Sequence, residues 1–312
     1  MIAGPTAVGK SDLALAVARQ LGGEVVSADS AMVYRGLNIG TAKPGPVERS
    51  MVPHHLLDVA DPAERFSMAQ YRALAVPALA DISARGRVPI IVGGTGLYIR
   101  SLLRGDALPA VPPDEQFRRE MEEVAAREGP GALHERLRAV DPEAAAVVHP
   151  RNLRRIVRAL EVYAHTGRPI SEAWEQGKGQ AQPQSACFLV CNRPRDVLKT
   201  RIASRVDSML AEGLIAEVAA LQKAGVPSAA QSMQALGYKE TLRFLAGEID
   251  REDLRQVLQT ATWQYAKRQL TWFRREPDAI WLDLGVASAS GALPLVRERW
   301  RECQGGGGGA SP

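Results

Sequence analysis

The chain opens on Gly4-Pro5-Thr6-Ala7-Val8-Gly9-Lys10-Ser11, a complete G-x-x-x-x-G-K-[ST] string set between an apolar stub and a helical pattern. Few strings narrow the choice of fold so far. The glycines let successive backbone N–H groups turn inward around an anion, at the positive end of the helix that follows. Lys10 adds a mobile positive charge, and the Ser11 hydroxyl is an oxygen ligand of the kind Mg²⁺ takes. Residues Gly4, Pro5, Thr6, Ala7, Val8, Gly9, Lys10 and Ser11 are therefore read as a phosphate-binding loop.

The hydrophobic pattern supplies the surroundings this loop needs. Met1-Ile2-Ala3 reads as a strand stub and Ser11 to Leu21 as a helix with Leu13, Val17 and Leu21 on one face, ended by Gly22-Gly23. Short apolar runs at Glu24 to Ala28, Val88 to Val92, Cys187 to Cys191 and Ala279 to Leu284 read as strands. Strands of this kind alternating with helices predict an α/β fold with a mainly parallel, buried sheet, a P-loop, kinase-like sheet flanked by helices. A central strand ordinarily has about five or six residues. Only three precede Gly4, so the first strand is either tolerated as a stub or begins upstream.

Between Pro109 and Gln184 the texture turns helical, with stretches such as Asp114 to Glu128 and Leu153 to Tyr163. Pro112-Pro113 and the polar segment Gln176 to Gln184 read as hinges. The organisation expected is a core over 1–109, an all-helical insertion over 110–185, and a second part of the core with C-terminal helices over 186–303. Beyond about Val286 the residues become small and polar, and 304–312 is expected to be a disordered tail.

At 312 residues the chain is long enough for a core plus an insertion. No run of about 18 apolar residues is present, which excludes a membrane-spanning helix. Met1 lies too near the loop for a leader peptide to be expected. The three cysteines, Cys187, Cys191 and Cys303, lack zinc spacings and a neighbouring His, so a reducing, cytoplasmic compartment is expected. A net charge of +4 leans only mildly toward a polyanionic partner. What matters is where the basic residues cluster.

Phosphoryl transfer is the default use of such a loop. Asp29, at the carboxyl end of the second strand, sits where open α/β sheets place their ligands and can take a proton from a nucleophile; the alternative is a partner of Mg²⁺ or a helix cap. Thr95, after the third strand, can orient a substrate or simply serve a turn.

Further strings carry a resemblance. Gly4 to Ser11, Asp29 to Tyr34, Asn38 to Pro44, Pro53 to Asp58 and Gly93 to Tyr98, then Arg154 to Glu161, Leu236 to Glu240 and Lys267 to Arg274, resemble the tRNA dimethylallyltransferases in order and spacing. The likeness spans nearly the whole chain except the tail. It implies that dimethylallyl diphosphate fills the phosphate loop, with Mg²⁺ as cofactor, and that the acceptor is the exocyclic N6 amine of adenine 37 in tRNA. It further implies that Asp29 is the general base, that Thr95 positions the adenine, and that Arg205 grips the diphosphate with Lys10. Arg201, one turn before Arg205, is a second candidate for that grip.

On the tRNA side, the resemblance assigns contacts to Asp29, Ser30, Ala31, Met32, Thr95, Arg154, Arg155, Ile156, Val157, Arg158, Gly237, Tyr238, Lys239, Lys267, Arg268 and Arg274. The residues themselves show two basic clusters, Arg151 to Arg158 on one helix and Lys267 to Arg275 around Trp272-Phe273. Arginine and lysine beside aromatics suit an RNA backbone and an extruded base; solvated helix faces and a core role for the aromatics remain open alternatives. Met32 stands where the family commonly has Gln, which removes an amide hydrogen bond to the base. His54-His55 lacks a third metal ligand and is read as structural hydrogen bonding. No membrane association is expected, and the chain is taken as a monomer. The rival readings are a small-molecule kinase, an isopentenyltransferase acting on free AMP, and an RNA-binding module with an idle loop.

Overall fold

The architecture is that of a computed structural model, which describes residues 1–104, 111–178, 186–285 and 290–305. Backbone contacts divide the chain into two compact units, Met1–Ile99 with Gln184–Pro312, and Arg100–Pro183. The insertion boundaries expected at 109/110 and 185/186, and the tail from 306 onward, lie outside the described residues.

Along the chain, β1 (Ile2–Ala3), α1 (Lys10–Leu21), β2 (Gly23–Ser27), α2 (Pro46–Met51), β3 (His54–His55), α3 (Met68–Ala84), β4 (Val88–Gly93) and α4 (Gly96–Arg104) come first. Five helices follow: α5 (Glu115–Glu128), α6 (Pro130–Val140), α7 (Pro142–Val147), α8 (Leu153–Thr166) and α9 (Ile170–Lys178). The chain then adds β5 (Leu189–Asn192), α10 (Arg195–Glu212), α11 (Leu214–Lys223), α12 (Tyr238–Leu245), α13 (Arg251–Phe273), β6 (Ile280–Asp283) and α14 (Leu293–Gly305).

Among the described residues six strands pair in parallel in the order β3-β2-β4-β1-β5-β6. β1 is only two residues long, yet it is central: Ile2 lies opposite Val92 on one side and Leu189 on the other. Two flanking strands and full burial of Ile2 and Ala3 hold it where its length would not. Every residue of β2 is buried, as a strand covered on both faces must be. Leu13, Val17, Leu189, Leu198 and Leu282 join one core around the sheet.

Two elements differ from the sequence reading. His54 and His55, read as structural hydrogen-bonding residues with no strand assigned, form an edge strand opposite Val25 and Val26. They do hydrogen-bond: His54 Nδ1 lies 2.7 Å from the Val52 carbonyl, and His55 Nε2 lies 2.7 Å from Glu24 Oε2. C-terminal helices were expected up to 303, past small and polar residues after Val286, with 304–312 as a tail. Instead α14 runs to Gly305, because Ala292 and Val296 bury against the sheet core with Leu293 and Leu295 beside them. Sparse apolar residues suffice when all of them fall on one helical face.

The second unit has its own core of Leu133, Leu137, Ile156, Leu160 and Ile170. Its described residues contain helices and no strand. The helix α8 starts where Asn152 accepts the Arg155 N–H and stops at Gly167 in the left-handed region.

Candidate active site

The phosphate loop joins β1 to α1 at the carboxyl edge of the sheet. Gly4, at φ 143°, has no room for a side chain, since a Cβ would lie 2.6 Å from the Cys191 carbonyl oxygen. Ala7 sits at φ 62°, a strained value for a residue with a side chain, and Gly9 at φ 99° begins the helix. Two arginines bind carbonyls of the loop. Arg201 Nε donates to Ala7 O at 2.7 Å, and Arg193 Nε donates to Val8 O at 2.8 Å. Arg201 thus braces the loop through Ala7 and is not among the residues lining the cavity described next.

One cavity gathers the chemistry. Its polar wall is Thr6, Lys10, Ser11, Asp29, Arg205 and Gln269. Its apolar wall includes Val25, Met32, Leu57 and Val92, with His54. Lys10 Nζ folds onto Pro5 O at 2.7 Å. Burial, reinforced by the Arg205 charge and opposed by Asp29, pushes the Lys10 ammonium down to about 8. Burial also draws the Arg205 guanidinium below its ordinary value, against the attraction of Asp29. Two cations crowded together with one carboxylate make a pocket short of negative charge.

Asp29 follows β2. Its Oδ1 accepts the Ala31 N–H at 2.9 Å and the Met32 N–H at 3.3 Å, which fixes the carboxylate on its own turn. Thr95 Oγ1 accepts the Ser30 N–H at 3.0 Å and donates to Ser30 Oγ at 3.2 Å, so the β4–α4 loop holds the Asp29 turn. The Met32 sulfur accepts the Ser27 hydroxyl at 3.9 Å.

Sequence reasoning missed two residues on α13. Gln269, buried, accepts the Thr6 N–H at 2.8 Å and donates to Gly94 O at 2.9 Å. It ties the phosphate loop to the segment that carries Thr95, and it means the Thr6 N–H points at Gln269 rather than into the loop. Tyr265, one turn earlier, hydrogen-bonds Thr95 and Gln269; burial, with Asp29 repulsion second, raises its phenol and keeps it neutral. Polar residues at i and i+4 on an otherwise apolar helical face were the available signal.

Several residues expected to contact tRNA are committed elsewhere. Ile156 and Val157 are buried in the core of the helical unit. Arg158 is half-buried and donates to Glu161 Oε2 at 2.5 Å and to Val111 O at 3.0 Å. Tyr238 is wholly buried, with its hydroxyl 2.6 Å from Glu217, and Gly237 caps α12 at φ 96°. Phe273 is core, edge-on to Phe188 at 6.3 Å. The Trp272 ring fills the space a Gly96 side chain would take. Arg154, Arg155, Lys239, Lys267, Arg268 and Arg274 are exposed. The Arg268 guanidinium lies 5.7 Å from the Tyr265 ring centre.

A phosphate loop at the head of a parallel sheet, with a carboxylate facing it across an apolar-walled cavity, defines a P-loop α/β enzyme of group transfer. The family model described as IPP transferase matches residues 32–276, and one described as isopentenyl transferase matches 1–58. The chain belongs to the IPP transferase family, that of the tRNA dimethylallyltransferases. It is 47% identical to the tRNA dimethylallyltransferase of Geobacillus thermodenitrificans over 91% of this chain and 90% of that one. It is 49% identical to that of Geobacter metallireducens, over 91% of each chain. The solved tRNA isopentenylpyrophosphate transferase of Bacillus halodurans superposes with a TM-score of 0.71 at 40% identity, covering 97% of this chain and 96% of that one. A eukaryotic dimethylallyltransferase solved acting on tRNA gives 0.77 at 28% identity, over 96% and 78%.

Proposed function

We propose that the chain transfers the dimethylallyl group of dimethylallyl diphosphate to N6 of adenine 37 in tRNA and releases diphosphate. One observation carries the reading: a diphosphate-binding loop and a carboxylate base face the same cavity, with Lys10, Ser11 and Arg205 beside Asp29. The activity named for the relatives supports the choice of donor and acceptor.

As the amine attacks the allylic C1, the C1–O bond breaks and its electron pair leaves with the diphosphate. Positive charge develops on carbon and negative charge on oxygen. Lys10, the N–H groups at the start of α1 and Arg205 stabilise the negative charge where it appears. Val25, Leu57, Val92 and Met32 offer the methyl groups an apolar wall. The N6 proton passes to Asp29, whose Oδ1 is anchored by two N–H groups, leaving Oδ2 for the amine. Thr95 acts on that base through the Ser30 turn.

The donor set fits Mg²⁺. The exposed Ser11 hydroxyl lines the cavity and would hold the ion, since Mg²⁺ takes one or two protein oxygens together with substrate phosphates and water. When bound, it neutralises charge on the departing diphosphate.

The adenine must leave its stack to reach N6. Met32 packs against it rather than hydrogen-bonding it. Arg154, Arg155, Lys239, Lys267, Arg268 and Arg274 supply the cations for tRNA phosphates, with residues 110–185 as the insertion that meets tRNA. The protein acts as a monomer in the cytoplasm, to which its three free cysteines are suited.

The test is incubation with labelled dimethylallyl diphosphate, Mg²⁺ and unmodified tRNA, followed by nucleoside analysis. Label in N6-dimethylallyladenosine is expected, with one diphosphate released per transfer. Product on free AMP alone, or phosphate transfer from ATP to a small acceptor, would overturn the reading.

A further inference from the structure

Arg205 reaches the cavity with one protein hydrogen bond among the described residues, from Nη2 to the Thr41 carbonyl at 3.0 Å. Among the described residues no carboxylate lies within ion-pair distance of it, and Asp29 acts on its charge only from farther off. A guanidinium on a long flexible stem takes its direction from its partners, so the Thr41 carbonyl decides where Arg205 points. That carbonyl lies in a loop without regular structure, which by itself would not aim anything.

The loop is held from behind by a single side chain. Glu217 Oε2 accepts the N–H groups of Asn38 at 3.0 Å and Ile39 at 2.8 Å. Its Oε1 accepts the Gly40 N–H at 3.2 Å and the Tyr238 hydroxyl at 2.6 Å. Four donors on one carboxylate give it little freedom to rotate, and hydrogen bonds to an ionised acceptor are the stronger kind. Gly40 packs flat on Tyr238: a Cβ there would come 2.5 Å from the ring. The loop is closed internally, Ala42 N to Ile39 O and Lys43 N to Asn38 O both at 3.0 Å, with Thr41 Oγ1 on Leu37 O at 2.8 Å. Its far end is pinned by the buried Lys43 ammonium, bonded to Tyr34 O at 2.6 Å and Asp58 Oδ1 at 2.7 Å. Thr41, whose carbonyl holds Arg205, lines the cavity.

We propose that Glu217, braced by Tyr238, is a positioning residue for the donor: it clamps residues 38–41 so that the Thr41 carbonyl aims the Arg205 guanidinium at the diphosphate. The clamp rests on the donor-site reading above and goes beyond it by naming the residue behind the grip. Neither Glu217 nor Tyr238 lines the cavity, so their effect on the ligand passes through Arg205.

The test measures inorganic pyrophosphate affinity with Mg²⁺ by calorimetry, and the separate KM values for dimethylallyl diphosphate and tRNA. Variants are Glu217→Gln, Tyr238→Phe, Arg205→Ala and the Glu217→Gln/Arg205→Ala double. Glu217→Gln is expected to weaken pyrophosphate about tenfold and to raise the donor KM to match, with the tRNA KM unchanged. Tyr238→Phe, which keeps the carboxylate and the ring, is expected to lose about threefold. In the Arg205→Ala background, Glu217→Gln is expected to cost less than about twofold more, since coupled residues do not add. Wild-type pyrophosphate affinity in Glu217→Gln beside a weakened Arg205→Ala would overturn the clamp alone, as would a fully additive loss in the double variant. Wild-type affinity in Arg205→Ala would overturn the donor-site reading and the clamp together.

Discussion

Around the phosphate loop, Arg193, Arg201 and Arg205 donate to the backbone carbonyls of Val8, Ala7 and Thr41. In the helical unit, Arg118 and Arg158 converge on buried Glu161, whereas Arg154 and Arg155 on the same helix as Arg158 extend into solvent. The first arrangement shapes an anion site by fixing backbone, the second separates arginines that build the fold from arginines free to meet a polyanion. A count of basic residues therefore says little about a site. The acceptor each guanidinium already has is what assigns it.

The largest expected effect comes from the loop side. Asp29→Ala should lower turnover about a thousandfold, as loss of a general base does, while pyrophosphate affinity stays near wild type. Single-turnover assays with calorimetry on the same preparation check this. A loss of affinity equal to that of Lys10→Ala would mean that Asp29 serves the diphosphate and not the amine.

Next in size is the buried node of the helical unit. Glu161 accepts Arg118 through Nε and Nη2 at 2.8 and 2.9 Å, Arg158 at 2.5 Å and the Asp114 N–H at 2.8 Å. Burial works against its charge, but these bonds outweigh burial and hold its carboxyl below the usual range. Glu161→Ala leaves two guanidinium groups without their partner and should cost about 3 kcal/mol in denaturant unfolding. Pyrophosphate affinity should not change. In the parent, a depressed carboxyl pKa means the stabilisation is present above the unfolded value of about 4.3 and fades as pH falls through the lower folded value. Glu161→Ala should flatten that acid limb.

The third prediction is a pH dependence of donor binding. Burial pushes the Lys10 ammonium of the free protein down to about 8, and a bound diphosphate requires the charged form. Binding above pH 8 must therefore take up a proton. Pyrophosphate affinity should fall by up to about tenfold per pH unit between 8 and 10, and Lys10→Arg should remove the slope. Equal affinity at pH 7 and 9.5 in the wild type would remove Lys10 from the contact.

The smallest effect belongs to the exposed arginines. Replacing Arg154 and Arg155 together with Ala should raise the tRNA KM about fivefold and lower the salt dependence of tRNA binding by one to two charges. Donor KM should stay fixed. A changed donor KM would blur the division between the two arginine groups.

Much of this was legible in advance, for physical reasons that differ by residue. The phosphate loop could be read because its requirements are local: a turn that only glycine makes easily, a lysine and a hydroxyl within eight positions. Asp29 could be read because strand ends in a parallel sheet point at the ligand. The strand β3 was not legible, since two histidines carry no periodicity and become a strand only by pairing with β2. Gln269 was missed because its partner Thr6 lies 263 positions away. Ile156, Val157 and Tyr238 were placed at the RNA by motif, and burial moved them into the cores.

By itself the sequence determined the parallel α/β class, the anion loop, the carboxylate across from it and a helical stretch rich in arginine. Each follows from spacing along the chain, where neighbours in sequence are neighbours in space. Only the tertiary structure decided which arginines face an acceptor, that Gln269 ties the loop to the Thr95 segment, and that Glu217 stands behind Arg205. Those contacts join residues far apart in the chain, and no local pattern records a partner that folding alone brings within 3 Å.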